Sequence, residues 1–504
     1  MSLVSNTFVL FVAATVILYY IVPSSLQWIL LLAVSYLYYM SGNAGYVVYI
    51  LYSTVVIYVC ALLITYFREH GKAGWIPRFF VILGLILNLG MLGFVKYFGF
   101  FVTNLNVLAH LQLPKADLIL PLGISFYTFQ SSGYLLDVYW KKAQAQRNPF
   151  KFALFVSYFP QLLQGPIGKY DRLQEQLTAK HKLQWDSFCR GLERILWGYC
   201  KKIIIADWAG VFADAVWGNL QQYNGITFFA LLFYGIQLYA DFSGAIDIVI
   251  GISQLFGITL DENFRRPYLA VSMADFWKRW HITLGDWMMN YVFYPVSLSK
   301  WMMSFSKWSR KVFGKKTGRT MPIALADLIV FFLVGIWHGA SWKYVVYGLL
   351  NGGIIAFSDL MKYQYRSWRQ ALHIGGNEPW FRAFQILRTF ILVNLRWFFD
   401  RSDGLHQAGF MIRQAFTHFD PSQLLMISAG RGGTAFVPCA LLIIAVGSVI
   451  MVSVGILEER GVDVRGKVNA LPYPLTLLIC AGMFLLIGMF GCTGTPRGFI
   501  YAQF

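Results

Sequence analysis

An all-α polytopic membrane protein is the fold class that this 504-residue sequence predicts, on three observations. Hydrophobic residues make up 57% of the chain and charged residues only 13%, against about a quarter charged in soluble domains. Mean hydropathy is +0.54, and apolar runs near the roughly 20 residues that a bilayer requires recur along almost the whole length. No stretch between those runs is long enough to build a core of its own, so residues 1–504 read as a single integral membrane domain.

The apolar runs lie at 8–22, 28–40, 47–67, 79–97, 119–136, 152–163, 191–212, 227–256, 323–337, 344–361, 384–399, 435–456 and 475–490. The run at 152–163 ends in Phe159-Pro160 and is followed by Gly165-Pro166, so it reads as re-entrant. Hydropathy then predicts roughly ten to twelve true crossings. No charged segment precedes the first run and no small-residue cleavage site follows it, which marks 8–22 as an uncleaved first span. The first two connections carry almost no Lys or Arg, whereas Arg68, Lys72 and Arg78 follow the third span. Positive loops stay in the cytoplasm, so the N-terminus is expected outside.

A formal net charge of +18 could point to nucleic acid. The basic residues, however, sit in short loops between spans, where membrane topology and anionic lipid explain them; no nucleic-acid partner is expected. Six cysteines at 60, 189, 200, 439, 480 and 492 show no C-x-x-C spacing, so neither zinc nor a disulfide framework is indicated. No repeat of fixed period and no low-complexity tract is visible.

Residues 271–320 read as an interfacial amphipathic helix followed by a basic cytoplasmic segment. Ser272 followed three residues later by Asp275 makes a capping-box start. Phe276, Trp280, Leu284, Trp287 and Tyr291 then recur at three- and four-residue steps as an aromatic stripe, too charged on its other face to cross a bilayer. His281 stands near the margin of that stripe, where a histidine can be structural or functional. From 300 to 320 come Lys300, Lys307, Arg310, Lys311, Lys315, Lys316 and Arg319 with no acid, interleaved with Trp301, Phe305, Trp308 and Phe313. That describes a surface segment on the inner leaflet, or a loop made basic by topology alone.

Two constellations place polar groups at membrane depth. Asp241, Ser243 and Asp247 fall in the apolar run 227–256, and buried carboxylates need partners; Arg265, Arg266, Lys278 and Arg279 are the cations expected to supply them. A buried ion pair that fixes helix packing is the preferred account of these acids. His338 lies in Phe331-Phe-Leu-Val-Gly-Ile-Trp-His-Gly-Ala-Ser-Trp342, otherwise apolar enough to lie in a bilayer. Two readings stand for it: a core histidine bonded to a neighbouring carbonyl, and a functional imidazole. No Walker loop, G-x-S-x-G elbow, H-E-x-x-H or glycosidase carboxylate pair appears. A neutral imidazole can take a proton from a hydroxyl so that it attacks an activated acyl carbon, without a protein nucleophile.

The sequence resembles the membrane-bound O-acyltransferase (MBOAT) family. The resemblance rests on Leu120-Pro-Leu-Gly-Ile-Ser-Phe-Tyr127, Tyr134-Leu-Leu-Asp137, Phe159-Pro160 with Gln164-Gly-Pro166, Tyr239-Ala-Asp-Phe-Ser-Gly244, Asp275-Phe-Trp-Lys-Arg-Trp-His281 and Val334-Gly-Ile-Trp-His-Gly-Ala-Ser-Trp342. These motifs stand in family order over roughly residues 118–350, and within the family they are most similar to the bacterial branch of alginate and peptidoglycan O-acetyltransferases, with the teichoic acid D-alanyl transferase protein as kin.

That resemblance implies a ring of tilted helices around a central funnel or tunnel, with His338 at its narrowest point as the essential catalytic histidine. His281 matches a second, more variable polar position. Trp280, Trp337, Arg279, Asp241 and Ser243 are carried as residues that bind donor or acceptor or stabilise charge, and no metal is called for. The implied reaction takes an acyl group, acetyl in the first place, from acetyl-coenzyme A or a small acyl-carrier-protein thioester on the cytoplasmic side to a hydroxyl of an exported cell-envelope glycan. An extracytoplasmic partner acyltransferase is expected, since this chain has no soluble nucleophile domain. D-alanyl transfer to teichoic acid is the alternative within the enzyme class, and an ion or proton path through Asp241, Asp247, His281 and His338 the alternative from another class. One departure is plain: relatives often carry a further histidine one helix after Trp-His-Gly, where this chain has Asn351.

Overall fold

Hydrophobic length and cap chemistry set the helix boundaries in the computed structural model, which describes residues 1–71, 74–114, 118, 120–375, 378–428, 436–492 and 498–500. The first helices are α1 (Asn6–Ile21), α2 (Gln27–Met40), α3 (Val47–Glu69), α4 (Trp75–Ala109), α5 (Ile124–Tyr139), α6 (Pro149–Ser157), α7 (Phe159–Leu162) and α8 (Tyr170–Thr178). Then come α9 (Trp185–Tyr199), a π-helical segment Cys200–Ala206, α10 (Asp207–Gly218), α11 (Thr227–Leu255), α12 (Met273–Arg279), α13 (Ile282–Met288), α14 (Tyr294–Ser297) and α15 (Lys300–His338). The series closes with α16 (Trp342–Leu360), α17 (Lys362–Ala371), α18 (Pro379–Arg401), α19 (Leu405–Thr417), α20 (Val437–Glu459), α21 (Val464–Asn469) and α22 (Tyr473–Phe490). Among the described residues there is no strand, only an isolated bridge between Phe264 and Trp280.

The chain is an all-α polytopic membrane protein. Among the described residues six helical stretches are long and apolar enough to cross a membrane: Ala44–Glu69, Trp75–Ala109, Asn224–Leu255, Lys300–His338, Val437–Glu459 and Tyr473–Phe490. The pair α16 and α17, bent by 56°, makes a seventh if counted as one span. This is fewer than the ten to twelve crossings that hydropathy predicts, for physical reasons visible in the helices. The run 152–163 breaks at Tyr158 into helices of 9 and 4 residues. The run 191–212 is divided by the π-helical segment and carries Glu193, Arg194, Lys201 and Lys202. The helix over 384–399 carries Arg388 and Arg396, and α1, α2 and α5 have only 16, 14 and 16 residues.

The chain forms two compact units. One comprises Met1–Ile204, Ala240–Asp261 and Val464–Phe504, the other Ile205–Tyr239 and Glu262–Asp463.

In the first unit α9 and the C-terminal part of α11 cross at glycines. A Cβ on Gly198 would stand 2.6 Å from the Gly244 carbonyl oxygen, and one on Gly251 would stand 2.7 Å from that of Gly191. Small residues at a helix crossing let backbones approach in this way. Beside the crossing lies a buried ionic ladder. Asp247 accepts from Arg194 at 2.8 Å and from Lys201 at 2.6 Å; Lys201 also donates to Ser243 Oγ at 2.9 Å. Lys202 donates to Asp241 at 2.7 Å, and the Ile500 backbone N–H donates to the other oxygen of that carboxylate at 2.9 Å. The expected cations are therefore corrected. Arg194, Lys201 and Lys202, hidden inside an apolar run upstream, hold these acids, while Arg266 and Arg279 pair with Glu459 in the second unit.

In the second unit α12 begins at the predicted cap: Ser272 Oγ accepts from the Asp275 N–H at 3.1 Å, and Asp275 accepts from the Val271 N–H at 3.1 Å. The helix does not run on along the stripe. It ends after Arg279, His281 takes a left-handed backbone conformation with φ 47°, and α13 starts anew. The stripe residues Phe276, Trp280, Leu284 and Trp287 are buried within the protein itself. The basic stretch from Lys300 is helical and turns sharply at Gly314, whose φ of 76° only glycine adopts freely, before the chain enters its apolar part. That part packs against α16 as a hairpin, where a Cβ on Gly335 would lie 2.3 Å from the Tyr344 carbonyl oxygen.

Candidate active site

α15 ends at His338, and the hairpin turn that follows puts its imidazole into an aromatic pocket of the second unit. The ring centroid lies 5.2 Å from Trp337, 5.1 Å from Tyr347 and 6.0 Å from Tyr344, and His338 is 3% exposed. On its Nδ1 side, 3.8 Å away, stands Oδ1 of Asp400 near the end of α18, equally buried. The other oxygen of that carboxylate accepts from the Tyr234 hydroxyl at 2.7 Å, and Lys343 Nζ donates to the Asp400 backbone carbonyl at 3.0 Å. A buried imidazole facing a held carboxylate is the arrangement in which a histidine works as a base.

His281 reaches the same aromatic group from another segment, its ring 5.7 Å from that of Trp337. The left-handed turn that carries it is tied down by Asn263. The Asn263 carbonyl accepts from the Ile282 N–H at 3.0 Å, and its side-chain Oδ1 accepts from the Thr283 N–H and hydroxyl, each at 3.0 Å. His281 Nδ1 is 3.3 Å from the same oxygen. Burial pushes the His281 imidazole down to about 3, so it is neutral at ordinary pH.

Of the residues singled out in the sequence, the second unit brings His338, His281 and Trp337 together. Trp280 lies one residue before His281 but is a packing residue, 1% exposed, with its ring 5.1 Å from Phe264 and 5.6 Å from Trp397. Arg279 turns to carboxylates, donating to Asp275 at 2.8 Å and to both oxygens of Glu459 at 3.1 and 3.0 Å. Asp241 and Ser243 belong to the ionic ladder of the first unit. Asn351 accepts from Trp277 Nε1 at 3.2 Å and donates to the Tyr347 carbonyl at 2.7 Å. Among the described residues no group of three or more His, Cys, Asp or Glu could hold a metal ion.

The sequence reading missed Asp400, Tyr234, Asn263 and Arg396. Arg396 is 2% exposed, its guanidinium 5.1 Å from the rings of Phe276 and Trp397 and 5.8 Å from that of Tyr347. A signal was present: Arg396 interrupts the apolar run 384–399, and Asp400 follows it by one turn on the same face. Ionisable groups in such a run mark function or a pairing partner.

Residues 142–394 match the model of the membrane-bound O-acyltransferase family, MBOAT. The chain belongs to this family. Among its relatives it is 31% identical to the probable alginate O-acetylase AlgI of Azotobacter vinelandii, over 82% of this chain and 78% of that protein. It is 33% identical to the peptidoglycan O-acetyltransferase of Helicobacter pylori, over 76% of this chain and 72% of that protein. The teichoic acid D-alanyltransferase of Bacillus subtilis is 26% identical over 56% and 68%. His281 and His338 of this MBOAT enzyme fall inside the family match, and Asp400 lies beyond its end.

Proposed function

We propose that this membrane O-acyltransferase moves an acetyl group from a cytoplasmic thioester to a hydroxyl of an exported cell-envelope polysaccharide. His338 is the general base in this reading: it takes the proton of the attacking hydroxyl and returns it to the departing thiolate. The observation that carries the proposal is the His338 imidazole, buried among Trp337, Tyr344 and Tyr347 with the Asp400 carboxylate at 3.8 Å. His281 serves as a neutral hydrogen-bonding group beside Trp337. Arg279, paired with Asp275 and Glu459, supports the segment that carries His281 rather than meeting the donor.

The donor is acetyl-coenzyme A or a small acyl-carrier protein, and transfer is direct or passes through an extracytoplasmic partner acyltransferase with its own nucleophile. The protein sits in the cell membrane with its N-terminus outside, as the early Lys and Arg distribution suggests. The acetyl assignment follows the two O-acetyltransferase relatives, which match more of the chain than the D-alanyltransferase does.

The test compares cells carrying His338→Ala with wild type for ester-linked acetate and ester-linked D-alanine on the envelope glycan. Loss of acetate alone is the predicted result, and loss of D-alanine alone supports the teichoic acid reaction instead. Unchanged levels of both, with the variant inserted at wild-type amounts, would contradict acyl transfer through His338.

A further inference from the structure

A histidine that acts as base must present one nitrogen as a lone pair and keep its proton on the other, and nothing in an isolated imidazole decides which. Here a carboxylate on one edge of the ring biases the choice. The Nδ1 edge of His338 faces Oδ1 of Asp400 at 3.8 Å, which favours the tautomer protonated on Nδ1. Nε2 is then the nitrogen that carries the lone pair. The carboxylate is held from two directions, since Tyr234 donates to Oδ2 at 2.7 Å and Lys343 Nζ holds the backbone carbonyl of the same residue at 3.0 Å. Tyr234, Asp400 and His338 all have relative exposures of 3% or less, so water does not screen the pair.

We infer that Asp400, oriented by Tyr234, is the positioning residue of the reaction: it fixes the tautomer of His338 and stabilises the imidazolium that forms when the acceptor hydroxyl is deprotonated. The inference rests on the acyl-transfer reading above. The hydroxyl oxygen bonds to the thioester carbonyl carbon while its proton moves to His338 Nε2. The C–S bond breaks with its electron pair on sulfur, and the thiolate takes the proton from Nε2. Charge on the ring rises and falls during these steps, and the 3.8 Å separation closes to a hydrogen bond while the ring is cationic. Catalytic hydrogen bonds are often long in a free enzyme and tighten in its complexes.

The competing account is structural, with the Tyr234 to Asp400 hydrogen bond tying α11 to α18 and no more. The two accounts part in membranes supplied with radiolabelled acetyl-coenzyme A, where the initial rate of alkali-labile label transfer is normalised to folded protein. Asp400→Asn is expected to lower the rate at saturating donor by about 100-fold while the half-saturating donor concentration stays within about twofold, as loss of a group that orients a catalytic residue does. Tyr234→Phe keeps the ring and removes the hydroxyl, and is expected to lower the same rate by about 10-fold. In a His338→Ala background, Asp400→Asn is expected to change nothing further. Wild-type rates for Asp400→Asn, or a loss that multiplies with that of His338→Ala, would overturn the role. If Asp400→Asn reduces the folded fraction, Tyr234→Phe decides by the same criteria. A His338→Ala variant with wild-type transfer would instead remove the acyl-transfer reading on which the inference stands. Should acetyl-coenzyme A support no transfer by the wild type, the same variants are compared for ester-linked acetate on the envelope glycan of cells.

Discussion

The two units each bury a set of charged side chains, and the sets are built on opposite plans. In the ladder of the first unit every carboxylate is met by cations at 2.6 to 2.8 Å, Asp247 by two of them and Asp241 by Lys202 with a backbone N–H added. The helices carrying the ladder approach each other closely through glycine. In the second unit the His338 imidazole and the Asp400 carboxylate stand 3.8 Å apart, walled by aromatic rings. Saturated buried charge fixes structure, because removing either partner leaves an ion in low dielectric. A buried acid and base held just short of a bond are suited to moving a proton instead.

The contrast breaks if the ladder tolerates damage. Asp247→Ala leaves Arg194 and Lys201 without their carboxylate, and a loss of about 3–5 kcal/mol is expected, read as a large drop in the thermal unfolding midpoint in detergent and in the yield of folded protein. A Gly198→Val change probes the same lock through packing. Its Cβ would stand 2.6 Å from a backbone carbonyl, and the expected cost is about 1–3 kcal/mol, so an unfolding midpoint equal to wild type would show that the crossing is looser than described.

The third prediction concerns pH and belongs to the second unit. His281 has its pKa lowered from 6.5 to about 3 by burial, so between those values the unfolded chain binds the proton that the folded chain refuses. Stability is therefore full above pH 6.5 and declines as pH falls towards 3, by about 2 kcal/mol between pH 8 and pH 5. His281→Gln removes this component, and the slope of unfolding midpoint against pH should flatten over that window. An unchanged slope would assign the acid sensitivity to other groups.

Much of this was legible in the sequence, and the gaps have physical causes. The long apolar helices and the Ser272 cap are local, and hydropathy with cap spacing reads them. The partners of Asp241 and Asp247 were missed because Lys201 and Lys202 sit in an apolar run on another helix, where a linear scan treats them as interruptions. The break at His281 was missed because periodicity carries no information on a left-handed residue, and what makes the turn is Asn263, farther back in the chain. His338 was found from its place in an apolar run and its motif. Asp400 was not, since its meaning arises only when α18 brings it beside that imidazole.

The His338 site does chemistry where the ladder does structure, and purified His338→Asn separates the two when acyl transfer and thermal unfolding are read from the same preparation. An unfolding midpoint close to wild type is expected, together with a fall in transfer of about 100-fold or more. A midpoint lowered as far as that of Asp247→Ala, with transfer per folded molecule preserved, would contradict it.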